Sequence, residues 1–183
     1  MKFISTPIAG CFEILLEPFS DDRGSFFRQY CAREFADNGI KFSPLQSNYS
    51  ITKRLGTVRG LHYQVAPMFE AKLLRAVKGR VFDVCVDLRA GSASFGKWHA
   101  VELSGEIPTM FFLPKGCAHG FQTLSDNVEM IYFHDEYYSK EHDRTAHHAD
   151  PFFSIPWPLQ VSSISEKDQT APFFPEDFGG LTT

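Results

Sequence analysis

Apolar and polar positions alternate every two residues through the middle of the chain. The clearest run is Val81-Phe82-Asp83-Val84-Cys85-Val86-Asp87-Leu88, where Asp83 and Asp87 stand among β-branched and aromatic neighbours. That period belongs to a β-strand, whose side chains point to opposite faces in turn. Shorter runs of the same kind, Ala100 to Leu103, Met110 to Leu113 and Val128 to Phe133, are separated by turn signals at Gly91-Ser92, Ser104-Gly105 and Ser125-Asp126. Short strands at near-regular spacing predict an all-β sandwich or barrel. One brief helix is expected around Ala32 to Asn38, stopped by Gly39, with Arg33, Glu34 and Asp37 leaving Phe35 to face inward. A doubly wound α/β sheet would need many more helices. Beyond Asp150, Pro151, Pro156, Pro158, Pro172 and Pro175 interrupt any long regular element, so an irregular C-terminal tail is expected to wrap the barrel. Within it, Ser165-Glu166-Lys167-Asp168 reads on composition alone as a solvated turn.

A length of 183 residues suits a single domain over 1–183, and 43% hydrophobic residues with 19 Phe are enough to fill a sizeable core. Eighteen Lys and Arg against 22 Asp and Glu give a net charge of -4, which argues against general affinity for nucleic acid or anionic membrane surfaces. Any nucleotide must be held by a local pocket. Cys11, Cys31, Cys85 and Cys117 include no CxxC pair and read as buried apolar residues in a reducing compartment. With no apolar run of the length of a signal peptide or membrane span, the cytoplasm is the expected location.

The densest polar cluster is Gln46-Ser47-Asn48, then Arg59-Gly60-Leu61-His62-Tyr63-Gln64 and Lys72. On a strand, Leu61 and Tyr63 point one way and Gly60, His62 and Gln64 the other, which makes the second face a polar pocket wall. A lone histidine there would more often be a satisfied core residue, but His62 has Arg59, Gln64 and Lys72 near it in sequence. A second signal is Pro114 to Phe121, where Pro114, Gly116 and Gly120 permit a tight turn that delivers His119 beside a strand end. Together, Gly56 with His62 six residues on, and Pro114-x-Gly116-x-x-His119, resemble the two motifs of the cupin superfamily. The resemblance implies a jelly-roll β-barrel with short peripheral helices. Many cupins hold a metal with two histidines one residue apart, a later glutamate and the second-motif histidine. Here Gln64 stands two after His62 and Glu70 lies later than the pattern expects, so no metal is expected. His134, His142, His147 and His148 sit in a polar stretch and read as loop decoration.

The residues so far, with Asp21-Asp22-Arg23-Gly24-Ser25-Phe26, Ala71 to Arg75, Phe82 to Arg89, Phe95 to Trp98, Thr123-Leu124, Tyr132, Tyr137-Tyr138, Trp157-Pro158 and Ser165 to Asp168, resemble the dTDP-4-dehydrorhamnose 3,5-epimerases over nearly the whole chain. That resemblance implies a cofactor-independent isomerase of nucleotide-linked 4-keto-6-deoxy sugars. It implies His62 as the base that removes a proton beside the ketone, Asp168 as its orienting carboxylate, Lys72 as the charge near the developing oxyanion and Tyr132 as the acid on the opposite face. Without it, Tyr132 would be assigned to the core. The same resemblance assigns substrate binding to Arg23, Phe26, Gln46, Asn48, Arg59, His119, Tyr138, Asp143 and Lys167, and implies a homodimer whose N-terminal strands pair across subunits. Arg28 stands where a glutamate is expected, and Asp143 likewise where Glu is expected; both bear on specificity. A 3- or 5-monoepimerase on a dTDP-, GDP- or CDP-linked sugar, a sugar 3,4-ketoisomerase, a metal-dependent cupin oxygenase and a non-catalytic sugar-binding module remain alternatives.

Overall fold

The computed structural model describes residues 1–183. In chain order it forms β1 (Lys2–Ser5), β2 (Phe12–Leu15), β3 (Phe19–Asp21), β4 (Gly24–Phe26), α1 (Ala32–Asp37), β5 (Gln46–Thr52), β6 (Val58–Gln64), β7 (Lys72–Lys78), β8 (Arg80–Asp87), β9 (Trp98–Ser104), β10 (Thr109–Leu113), β11 (Cys117–Thr123), β12 (Val128–His134), β13 (Asp143–Thr145) and α2 (Glu166–Gln169). A six-stranded sheet, β1-β2-β10-β7-β12-β5, faces a five-stranded one, β13-β6-β11-β8-β9, while β3 and β4 pair only with each other. All pairings between these strands are antiparallel. This is the all-β jelly-roll barrel the strand spacing and the cupin motifs imply.

Three apolar layers hold it together. Between the sheets lie Leu74 and Ala76 of β7, Val81 and Cys85 of β8, Phe111 and Leu113 of β10, Phe121 of β11, and Val128 and Met130 of β12. The outer face of the six-stranded sheet is covered by α1 and its flanks, with Phe35 ringed by Phe3, Tyr30, Phe42 and Phe112. The outer face of the five-stranded sheet is covered by the tail: Phe153 and Ile155 pack on Leu61, Tyr63, Val84 and Val86, and Phe152, Trp157, Phe174 and Phe178 join them. Asp150, buried, accepts the backbone N–H of Phe152 and of Phe174 and so ties the two ends of that cover together. Strand β8 is therefore buried on both faces, and the polar positions of its alternation are interior ones. Asp83 and Asp87 are fully buried there and kept partnered, Asp83 hydrogen-bonded to His119, and Asp87 ion-paired with Arg89 and hydrogen-bonded by Ser92 and Ser94.

Three sequence expectations need correction. Helix α1 ends at Asp37, one residue earlier than expected. The 114–116 turn delivers His119 as expected, but two residues inside β11 rather than at its end, and the side chains of that strand are buried throughout. The 165–168 segment opens a short helix instead of a turn, and although Ser165, Glu166 and Lys167 are exposed, it is not solvated throughout. Ser165 caps α2 by accepting the N–H of Asp168, and Asp168 is buried.

The pairing of β6 with β11 departs from regular alternation. His62 pairs with His119 and Arg59 with Phe121, so Gly60 and Leu61 together oppose Gly120 alone. This bulge turns Arg59 to the same side as His62, although strict alternation would put them on opposite faces. The strands can approach only because no Cβ intervenes: one built on Gly60 would lie 2.5 Å from the Gly120 Cα and 2.7 Å from the His119 carbonyl oxygen. Gly60 also has φ near +120°, a conformation other residues rarely adopt. Gly60→Ala is expected to cost about 2–4 kcal/mol, from backbone strain plus overpacking. A urea unfolding midpoint equal to wild type would contradict this account of the bulge.

Candidate active site

Between the sheets, at the end of the barrel away from the Phe111–Val128 core, is a cavity of about 620 Å³. His62, Lys72, Tyr132, Gln46, Asn48, Arg59, His119, Tyr138, Asp143 and Lys167 line it, as do Ser50, Glu70, Phe121 and His134. The inner row of β12 explains how one strand serves both regions. Val128 and Met130 end in the core, and Tyr132 and His134, continuing the same alternation, enter the cavity.

Asp168 reaches the cavity wall from the tail. Thr57 and Ser163 pair in parallel, and the Val58 N–H donates to the Ser163 carbonyl at 2.9 Å, which docks α2 against β6. Asp168 Oδ1 then lies 2.7 Å from His62 Nε2, and Oδ2 accepts the Gly60 N–H at 3.2 Å. Burial alone would raise this carboxyl, but the His62 and backbone hydrogen bonds hold it below the usual carboxylate range. With Nε2 engaged, His62 Nδ1 is the nitrogen left to take a proton. The ring is about one-third exposed, which keeps it within reach of a ligand.

The opposite wall carries the phenol. The Tyr132 hydroxyl is 3.1 Å from Ser50 Oγ, and its ring stands edge-on to His119 and stacked beside His134. Burial pushes the phenol well above its ordinary value, so at neutral pH Tyr132 holds its proton and can donate it. His119 Nε2 is in turn fixed by both oxygens of Asp83, at 3.0 and 3.1 Å.

Lys72, also buried, is ion-paired with Glu70, whose other oxygen is 2.8 Å from His134 Nδ1. At the rim, Lys167 is paired with Asp143, and Tyr138 hangs over the opening with its N–H donated to Gln46 Oε1 at 2.6 Å. Of the Lys and Arg side chains lining the cavity, Arg59 alone has no carboxylate partner; its Nε donates to Thr52 Oγ1. It is the cation free to meet an anionic ligand.

Arg23 and Phe26 are not part of this cavity. They lie on the β3–β4 hairpin, where Phe26 is 72% exposed and Arg23 is paired with Asp21 of the same turn. His134 is corrected as well: it is a buried residue of β12 and not loop decoration. Sequence reasoning also missed Ser50, Glu70 and Asp83 as site residues. The available signal for Glu70 was its place two residues before Lys72, on one face of an extended chain. Gln64 donates to the Met68 and Tyr137 carbonyls and accepts the Ser139 N–H, so its amide is spent on holding the 137–139 loop. With Gln64 a neutral amide so committed, the cupin metal set lacks one of its ligands and does not fit a metal ion.

A jelly-roll barrel that brings a carboxylate-anchored imidazole, an ammonium and a proton-bearing phenol into one cavity is a cupin-type enzyme built for proton transfer. The model of the dTDP-4-dehydrorhamnose 3,5-epimerase family matches residues 5–176, and the chain belongs to that family. It is 44% identical over 165 residues to the Pseudomonas aeruginosa dTDP-4-dehydrorhamnose 3,5-epimerase, covering 88% of this chain and 90% of the relative. Among solved structures, the dTDP-4-dehydrorhamnose 3,5-epimerase of Elizabethkingia anophelis superposes with a TM-score of 0.92 at 38% identity, over 97% of this chain and 98% of that one. The Legionella pneumophila dTDP-6-deoxy-D-glucose-3,5-epimerase, solved in complex with dTDP-4-keto-L-rhamnose, superposes with a TM-score of 0.89 at 38% identity, over 94% and 92% of the two chains.

Asp168 and Glu70 are both held below the ordinary carboxylate range, Glu70 at about 2. Their stabilising contribution is complete above the unfolded value near 4 and is lost as pH falls through the folded values. Wild-type urea midpoints are therefore expected to fall between about pH 4 and about pH 2, and to fall less in an Asp168→Asn, Glu70→Gln double variant. Equal losses in the two proteins would refute the assignment.

Proposed function

We propose that this chain is a dTDP-4-dehydrorhamnose 3,5-epimerase, taking dTDP-4-dehydro-6-deoxy-glucose to dTDP-4-dehydro-L-rhamnose without a cofactor. The observation that carries the chemistry is that the base and the acid stand on different sheets. His62 belongs to the five-stranded sheet and Tyr132 to the six-stranded one, so a hexose between them meets a base on one face and an acid on the other. Inversion requires that arrangement, because the proton must return from the side opposite its departure. His62 removes the proton beside the ketone through Nδ1, and buried Asp168 stabilises the resulting imidazolium. Lys72 meets the negative charge that grows on the ketone oxygen, and Tyr132 returns a proton to the other face. Arg59 and Lys167 take the diphosphate, Tyr138 stacks on the base, and His119, Gln46, Asn48 and Asp143 complete the contacts. The free thiols support a cytoplasmic setting, and no helix is long and apolar enough to cross a membrane.

In heavy water the enzyme is expected to label carbons 3 and 5 of dTDP-4-keto-6-deoxyglucose. His62→Ala should lower exchange and turnover together by about 10²–10⁴-fold. Tyr132→Phe should retain proton exchange far better than net inversion, and equal loss of both would refute the acid role. Label at one carbon only would convert the reading to a monoepimerase, and a product with a shifted carbonyl would make it a ketoisomerase.

A homodimer completes the proposal. Strand β1 is an edge of its sheet with β2 as sole neighbour, and an open edge favours strand pairing with another copy. Exposed Phe19 and Phe26 and the distance of the β3–β4 hairpin from its own cavity fit a role for Arg23 and Phe26 in the neighbouring copy's site. Sedimentation at micromolar concentration should give a dimer, and Arg23→Ala should raise KM more than it lowers kcat; a fully active monomer would refute both.

A further inference from the structure

The proposed mechanism uses the Lys72 charge but leaves unexplained how a buried ammonium keeps it. Lys72 lies inside the six-stranded sheet, between β10 and β12, and is 5% exposed. Burial disfavours the charged form of a lysine, and so does every nearby cation. The groups facing it are mostly cationic or neutral. Arg59 and His62 come from β6, His119 from β11 with Asp83 of β8 behind it, and Tyr132 and His134 from β12. At the rim Lys167 is already paired with Asp143, and in the adjoining turn Asp135 is held by the Ala71 N–H and by Lys115. Only Glu70 offers Lys72 a carboxylate.

Glu70 is itself braced. Its second oxygen meets His134 Nδ1 at 2.8 Å, and His134 Nε2 meets Asn48 Nδ2 at 3.3 Å. An amide nitrogen can only donate, so Nε2 accepts and the ring proton sits on Nδ1, donated to Glu70. Both Glu70 oxygens are thereby occupied by donors. Burial alone would raise this carboxyl, but Lys72 and His134 hold it at about 2.

We propose that Glu70, braced by His134, is a positioning residue that keeps Lys72 protonated and in place, and so sets the alkaline limit of turnover; this rests on the epimerase reading above. His134 acts through Glu70, and Asn48, besides its place in the cavity wall, fixes the His134 ring. Removing the carboxylate leaves the ammonium buried without a counter-charge in a cavity where Arg59 is also unpaired, so it gives up its proton at lower pH.

The test compares wild type, Glu70→Gln and Glu70→Asp in two measurements. One is kcat and KM against pH with dTDP-4-keto-6-deoxyglucose. The other is an NMR titration of protein carrying lysine labelled with ¹³C at Cε, the Lys72 signal being assigned by its loss in Lys72→Arg. In Glu70→Gln the Lys72 titration and the alkaline limb of kcat are both expected to move down by about one pH unit or more, with KM changing less than kcat; Glu70→Asp should restore part of the shift. An unmoved Lys72 titration in folded Glu70→Gln overturns the proposal. Should Glu70→Gln not fold, His134→Gln takes its place, with a smaller downward shift expected and no shift overturning it. A wild type without turnover would sink the epimerase reading alone, because the titration reads Lys72 without substrate.

Discussion

An ionised side chain withdrawn from water must be given a partner of opposite charge or several hydrogen bonds, and this constraint organises the cavity. Three buried carboxylates each hold a cationic or protonatable group: Asp168 holds His62, Asp83 holds His119, and Glu70 holds Lys72. None of the three carboxylates is free to act as a base. Each spends its oxygens on orientation, which leaves the imidazole, the ammonium and the phenol to face a ligand. The protein thus converts buried negative charge, costly by itself, into fixed geometry for the groups that face the cavity.

The second determinant is a small one in the backbone. Regular alternation along β6 would give the cavity His62 and send Arg59 to the outer face under the tail. The two-against-one pairing at Gly60, Leu61 and Gly120 brings Arg59 round to the His62 side. The same Gly60 donates its N–H to Asp168, so the bulge that admits the unpaired cation also supplies a hydrogen bond to the carboxylate behind His62. The placement of Arg59 and the anchoring of His62 therefore share one local distortion.

What the sequence disclosed followed the range of the interactions involved. Strand β8 was legible because its alternation is local, and His62 because polar residues crowd around it in sequence. Asp168 was invisible to composition: a charged tetrapeptide between prolines looks solvated, and only the pairing of Ser163 with Thr57, more than a hundred residues away in the chain, buries it. Family resemblance supplied that residue where local chemistry did not. His134 was misread for a related reason. It is the last residue of β12, and nothing next to it in sequence shows that Glu70 waits on the neighbouring strand's approach. Arg59 was identified by resemblance, although its facing direction depends on a bulge that two glycines permit but do not announce. Arg23 and Phe26 are the residues a single chain does not bring to the cavity.

The tail that looked least ordered in sequence carries the carboxylate that holds His62. Its aromatic residues cover the outer face of the five-stranded sheet, Asp150 ties the ends of that cover together, and Ser165 caps the single turn that presents Asp168. Of these attachments the Ser165 cap, with the Ser163–Thr57 pairing before it, fixes the one carboxylate that His62 contacts. Because α2 is only four residues long, it has little stability of its own. Its geometry is borrowed from the Ser163–Thr57 pairing and from the Gly60 and His62 hydrogen bonds to Asp168, so loosening that docking would reach the His62 contact before it disturbed the walls of the barrel.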